Sequence, residues 1–542
     1  MRRSTARIKS SSNRSGLKLR IKPFVILFLL ALGLAAIPLF PSGGTEASAG
    51  KPAQRFERAR LHDEIAIRAA GSGYPWINLT DGRDLLTDYS GKVELGLSLQ
   101  SEQAAPLSLA AGDFDEDGIP DLVSAYAMAD RGVITIHRGN IDSIYPDTPE
   151  ARARKADGTF TDAPFLSPGL TFELSAMPEL IEAGDFDADG HFDVVAATRG
   201  GSTIHLMVGD GRGALREART LDLPGSITAL ASGEVNRPDG IPDLVVASSG
   251  ASGPKLYVYE GPESAIVSEP EVFDLSSEAN AIAIGHLGQD YTADIAVGAG
   301  RDLMVVHGRD RRLSLGEAAR SSVPEAAITV RSFESEVTSL AIGDFTGDAQ
   351  LELAALTGDG TVMLIRAKEP RGDLQLALAR QEDLSVKTLA VGSGRGELMT
   401  ARLSSLSHET VLMLDRAGRT LRVWMDDEER RERGDRTLAA ASQGPSAPAT
   451  LEVEGEPVAV LPMRLNMDGL SDLVILRKGM SGPSVTLTAP NSTITVCNTS
   501  DCGSIGCGSL RAAMAQANQS PGMDMIVFSG SFSGVPTIRQ QG

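Results

Sequence analysis

Hydrophobic positions along the chain fall into short alternating or wholly apolar runs, separated by clusters of Gly, Asp, Asn and Pro. That is the pattern of β-strands and tight turns; a helix would repeat its apolar positions every three or four residues. The runs recur in one order. A run rich in small residues comes first, as in Leu107-Ser108-Leu109-Ala110-Ala111-Gly112, Ala281-Ile282-Ala283-Ile284-Gly285 and Ser339-Leu340-Ala341-Ile342-Gly343. An acidic loop follows, then an apolar run such as Leu122-Val123, Val194-Val195, Leu244-Val245 or Leu473-Val474. A third run, such as Val133-Ile134-Thr135-Ile136, lies beyond a Gly-rich turn, and a more polar fourth run completes the set, as edge strands do.

Aligned on the first loop position, the repeats begin at Asp113, Asp185, Glu234, His286, Asp344, Arg402 and Arg464. Their spacing of roughly 50 to 70 residues suits four short strands with variable loops. The next residue is apolar each time: Phe114, Phe186, Val235, Leu287, Phe345, Leu403 and Leu465. Packing therefore persists where the acidic residues have gone. Four antiparallel strands repeated seven times predict an all-β seven-bladed β-propeller, and the small residues of the first strand suit the crowded axis of such a ring. The seventh repeat shows only three strands. The alternating run Lys92 to Leu99 is expected to supply the fourth and close the ring.

The loops carry the candidate chemistry. In the first, Asp113, Asp115 and Asp117 alternate so that carboxylates converge on one hard cation. Gly118 permits the turn, the carbonyl of Ile119 is a further ligand, and Asp121 closes the shell. The second loop repeats this with Asp185, Asp187, Asp189, the carbonyl of His191, and Asp193. Three carboxylates so close repel one another without a cation, so both loops are expected to bind Ca2+ as a structural staple. The third loop keeps Glu234, Asn236, Asp239 and Asp243 but has an extra residue, with Pro238 inside it. The fifth keeps Asp344, Thr346, Asp348 and Glu352 but has Ala349 in place of the glycine. For these two, simple capping of a hairpin is an equal reading. In the seventh, Arg464 stands first, with Asn466, Asp468 and Asp472 around it, and a guanidinium there can substitute internally for the cation. The fourth and sixth loops have lost the set.

The unit Gly-Asp-Phe-Asp-x-Asp-Gly-x-x-Asp-Leu-Val resembles the FG-GAP or VCBS-type repeat of integrin α heads and of many bacterial surface and secreted proteins. The resemblance covers residues 92 to about 488. It implies a seven-bladed propeller with calcium in the first hairpin of certain blades, and partners on the opposite face. Gly298-Ala299-Gly300 is the nearest approach to the family's Gly-Ala-Pro, which makes this the looser bacterial form.

Composition narrows the partners. The formal net charge of −20 over 542 residues argues against nucleic acid or an anionic membrane surface. The basic stretch Arg2 to Lys22, the apolar run Phe24 to Phe40 and the Ala47-Ser48-Ala49 site read as a signal peptide over 1–49. The cleavage site, with Pro38 and Pro41, favours this over an uncleaved anchor, which would be the chain's one route to a membrane. Beyond it we expect an N-terminal extension over 50–91, the propeller over 92–490 and a different module over 491–542. There, Ser509 caps a helix with Leu510, Ala513, Met514 and Ala517 on one face, and Ile526-Val527-Phe528 begins a strand. This resembles the helical cap at the entry of right-handed parallel β-helix domains, here as a short C-terminal fragment. Cys497, Cys502 and Cys507 allow a disulfide with one thiol left over, or three plain thiols. Arg371-Gly372-Asp373 and Arg433-Gly434-Asp435 are read as charged turns in preference to adhesion motifs. The seven histidines show no metal-ligand spacing, and neither a nucleophile elbow nor a phosphate-binding loop occurs. The expected function is a secreted or cell-surface monomer that binds an extracellular protein or glycan. The alternatives are a polysaccharide lyase or hydrolase on the same scaffold, or a spacer that presents the C-terminal module.

Overall fold

The structure is a computed structural model. It describes residues 77–529 except 78, 80–82, 86–87, 130, 236–237, 261–263, 314, 369–372, 381–382, 393, 405–407, 425–447, 490–491, 500–507 and 518–523. Seven antiparallel sheets follow one another, each with four strands A to D in meander order. Blade 1 is typical: Ala105–Gly112, Asp121–Met128, Arg131–His137 and Gly169–Leu174. Blades 2 to 6 begin with Leu180–Gly184, Gly225–Gly233, Ala279–Gly285, Val337–Gly343 and Glu397–Ala401. The A strands of blades 1 to 6 lie side by side in turn, Pro457–Met463 of blade 7 packs on the B strand of blade 6, and on its other side it lies beside Ala105–Gly112, which closes the ring. The protein is an all-β seven-bladed propeller.

Hydrophobic side chains fill the gaps between blades instead of one central core. Val123, Ile134 and Ile136 of blade 1 pack on Val194, Ala196 and Met207 of blade 2, all fully buried. The apolar residue after each loop's first position is part of this filling: Phe114, Phe186, Val235, Leu287, Phe345, Leu403 and Leu465 are all at most 3% exposed. B strands are apolar on both faces because each face meets another blade.

The ring closes differently from the expectation. Val93–Gln100 is a helix, with Leu95 and Leu99 buried while Val93 and Leu97 stay exposed. The fourth strand of blade 7 is Arg83–Asp84, paired antiparallel with Val485 and Ser484 and extended by a bridge from Leu79 to Thr488. Propeller pairing thus begins ahead of residue 92. Tyr89–Ser90 adds a short parallel edge to blade 1. Between strands C and D of blade 1, the segment after Asn140 forms two short helices, Ile141–Ile144 and Pro149–Asp157, capped by Asn140 and Thr148.

Past the ring, Ser492–Val496 pairs in parallel with Asp524–Phe528, and the helix Leu510–Ala517 packs on the pair with Ser509 Oγ at its N-terminus. The signal segment, Arg371-Gly372, Arg433-Gly434-Asp435, Cys502 and Cys507 lie outside the described residues; Cys497 is an exposed free thiol. Among the described residues no helix is long and apolar enough to cross a membrane.

Candidate metal centres

Each acidic loop joins strands A and B, so the loops lie at one end of the ring. Strand A ends in Gly112 in blade 1 and Gly184 in blade 2. A Cβ at either would fall 2.6 Å from the Phe192 ring or 2.4 Å from Pro242 of the next blade, so the close approach of neighbouring loops requires glycine there. In loop 1, carboxylate oxygens of Asp113, Asp115 and Asp121 lie within 4.8 Å of one another, and in loop 2 those of Asp185, Asp187 and Asp193 do the same.

The two loops match bond for bond. Asp113 Oδ1 and Oδ2 accept from the amides of Asp117 and Gly118 at 3.1 and 2.9 Å; Asp185 accepts from Asp189 and Gly190 at the same distances. Asp117 and Asp189, expected to be ligands, stand outside the carboxylate groups and cap their own turns, accepting from the amides of Ile119 and His191 at 2.8 and 3.0 Å. The expected contribution of His191 was its carbonyl. Its ring instead ties the loops together, with Nδ1 2.5 Å from Glu116 Oε1, and this pairing raises its pKa.

Asp121 and Asp193 have a further role. Asp121 accepts from the amide of Phe114 at 2.9 Å and from that of Gly139, just past strand C, at 2.7 Å. Asp193 does so from Phe186 and Gly209 at 3.0 and 2.9 Å, Asp294 from Leu287 and Gly308 at 3.1 and 2.8 Å, and Asp472 from Leu465 and Thr488, both at 2.7 Å. Asp243 and Glu352 make the first of these bonds, to Val235 and Phe345. A buried carboxylate therefore pins the A–B hairpin in six of seven blades, including blade 4, where His286 and Gly288 replace the first two acids and Asp290 caps its own turn. In blade 6 Thr410 takes the position and donates to Ala401 O at 2.5 Å. The signal was present in the sequence as an acid eight residues after the loop start, nine in the third repeat, and it persists in the fourth, which has lost the first two acids.

Burial pushes Asp121 and Asp193 up to about 7, with the charges of Asp115 and Asp187 adding to the shift and the amide donors opposing it. Desolvation likewise raises Asp187, whose acidic neighbours add to it. A divalent cation would reverse this. A structural observation supports the fit: Asp115 Oδ1 and Asp187 Oδ1, at the same loop position, are buried without a hydrogen-bond partner. A buried carboxylate oxygen left bare is costly, and a hard cation supplies what it lacks.

Loop 5 also gathers three carboxylates, Asp344, Asp348 and Glu352. Here Thr346 takes the place of Asp115 and donates to Glu352 Oε1 at 2.6 Å. Asn236 of loop 3 is outside the described residues. Loop 7 corrects an expectation. Arg464 lies over the Tyr145 ring, and the carboxylates are matched by neutral donors: Asn466 Nδ2 to Asp472 at 3.0 Å, and Thr488 Oγ1 to Asp468 and Asp472 at 3.0 and 2.9 Å.

At the other end of the ring, the starts of the A strands surround a funnel of about 430 Å³ with walls from all seven blades. Its charged residues are Glu179, Glu182 and Arg199 of blade 2 and Glu397 and Arg416 of blade 6. Arg416 pairs with Glu397 at 2.5 Å, and the Arg199 amide donates to Glu179 at 2.9 Å. Glu182 accepts from Ser232 at 2.9 Å, and burial pushes it up to about 7.

No known family's sequence profile matches the chain, and no curated protein matches it. Solved structures do. One is BBS1N in complex with ARL6DN, soaked with lead: 14% identity, TM-score 0.44, covering 77% of this chain and 97% of that one. Another is a humanized mutant of the Chaetomium thermophilum Polycomb Repressive Complex 2 bound to the inhibitor GSK126: 10% identity, TM-score 0.45, covering 78% and 97%. With TM-scores this low, the fold rests on the chain's own strand pairing and not on these likenesses.

Proposed function

We propose that the protein is an exported FG-GAP/VCBS-type propeller, stapled by calcium at one end of the ring, that binds an extracellular protein or glycan at the other. The observation that carries the binding role is the funnel. It is recessed, mainly polar, and built from side chains of every blade at the end away from the acidic loops. Calcium is held by Asp113, Asp115 and Asp121, and by Asp185, Asp187 and Asp193, where its charge offsets three carboxylates and satisfies the bare oxygens of Asp115 and Asp187. It takes no part in chemistry.

The test is a protein and glycan binding screen of the exported chain, with and without calcium, using Arg416→Glu and Glu182→Gln as funnel variants. The expected result is a ligand whose binding falls at least tenfold in a funnel variant. A ligand indifferent to both variants would overturn the reading. A glycan-cleaving enzyme is the second reading. It is favoured by the carboxylates of Glu179, Glu182 and Glu397 lining one funnel and by the raised pKa of Glu182, which suits a general acid. Release of reducing ends or unsaturated sugars in the same screen would select it.

A further inference from the structure

A cavity of about 390 Å³ lies at the seam where blade 7 meets blade 1. That is within the range of small-molecule sites, roughly 300 to 1,000 Å³. Its walls are largely apolar: Phe160, Phe165 and Leu166 come from the blade 1 insertion, Leu85 from beside the closing strand, and Val485 and Leu487 from blade 7.

Most polar groups that border it are already engaged. Asp84 accepts from Arg477 and Ser484, Asp142 accepts from Arg154, and Asn466 donates to Asp472. Arg83 and Asp162 give the lining opposite charges, so no net sign selects an ion. His137 is the exception. It ends strand C of blade 1, is 2% exposed, and neither ring nitrogen has a hydrogen-bond partner. Tyr89 stands edge-on to it at 5.7 Å. Gly169 packs so near that a Cβ there would come within 2.7 Å of Nε2. A buried imidazole with no partner is costly, and it offers one donor and one acceptor.

We propose that the seam cavity binds a small, neutral, mainly apolar molecule whose single hydroxyl or carbonyl group hydrogen-bonds the His137 imidazole. The bound molecule touches both the closing strand and blade 7, so it holds the ring shut and stabilises the fold by mass action.

The probes are p-cresol and toluene, which share a ring and differ by the hydroxyl, titrated into the full chain by equilibrium dialysis. The expected result is saturable binding with p-cresol about tenfold tighter than toluene. The preference should vanish in His137→Leu, and Leu166→Trp, which fills the cavity, should remove binding of both. A second readout needs no variant: with ¹⁵N-labelled histidine, p-cresol should shift the ring signals of a single histidine among the seven. Equal affinity for the two probes, a preference that survives His137→Leu, binding unchanged by Leu166→Trp, or ring signals that all stay in place would each overturn the proposal. If His137→Leu does not fold, the probe comparison, the labelled histidines and Leu166→Trp decide it.

Discussion

The pinning carboxylate, present in six of the seven blades, belongs to the fold with or without a metal. Asp294 pins the hairpin of blade 4 through the Leu287 and Gly308 amides in a loop that gathers no cluster of three carboxylates among the described residues. Asp294→Ala strands two buried donors and should cost about 2–4 kcal/mol, by equal amounts with and without a chelator. Asp115→Asn should behave oppositely. It lowers stability only with calcium present and is neutral or stabilising in chelator, where it relieves repulsion; urea unfolding in both buffers checks the pair. His137 sets a pH dependence. Burial lowers its pKa to about 4 from 6.5, so the unfolded chain binds the proton more tightly. Its contribution is complete above about 6.5 and is lost as pH falls towards 4, roughly 3 kcal/mol in all. Between pH 4.5 and 7.5 His137→Leu should lose less stability than the unsubstituted chain. The sequence displayed the acids of both complete loops but not their division of labour. Alternation gives five ligand positions equal standing, whereas burial and the amides of strand C decide that Asp121 is a pin and Asp117 a turn cap.

At the scale of the element, loops 1, 2 and 5 share one backbone with two left-handed positions. These are Glu116 and Gly118 (φ 57° and 85°), Ala188 and Gly190 (60° and 92°), and Gly347 and Ala349 (78° and 66°). Loop 5 has moved its glycine two residues forward, which explains how it keeps the turn with Ala349 where the others have glycine. Ala349→Gly should therefore stabilise by about 1 kcal/mol, and Gly118→Ala, which meets no atom within 4 Å, should cost about the same. Thermal melting of the two variants measures both signs. The run from Val93 to Leu99 has the spacing of a strand and yet folds as a helix, for a reason visible in that spacing. Apolar residues at every second position also include pairs four apart, so Leu95 and Leu99 can line a helix as well as a strand. Burying only those two satisfies the site, and the helix forms with Val93 and Leu97 in water.

For the whole molecule, the ring and its seven blades were legible because repetition averages out local ambiguity. The closure was not, because two residues, Arg83 and Asp84, carry no periodicity at all. What holds them is chemical: Arg477, 4% exposed, donates to Asp84 at 2.7 Å, and Ser484 does so at 2.5 Å. Asp84→Asn leaves that guanidinium buried without its charge partner and should cost about 3 kcal/mol. Removing calcium should lower the melting temperature further. With an extracellular-type Kd near 10⁻⁴ M and about 1 mM calcium, each site is worth roughly 1.4 kcal/mol, and an unchanged melting point in chelator would refute calcium binding. The seam also sets an order of events during synthesis. Asp84 and Ser484 are 400 residues apart, so at roughly 5–20 residues per second the closing segment emerges tens of seconds before its partner exists. Six blades can stack while Arg83–Asp84 waits, so the earliest-made strand of the ring is among the last to find its place.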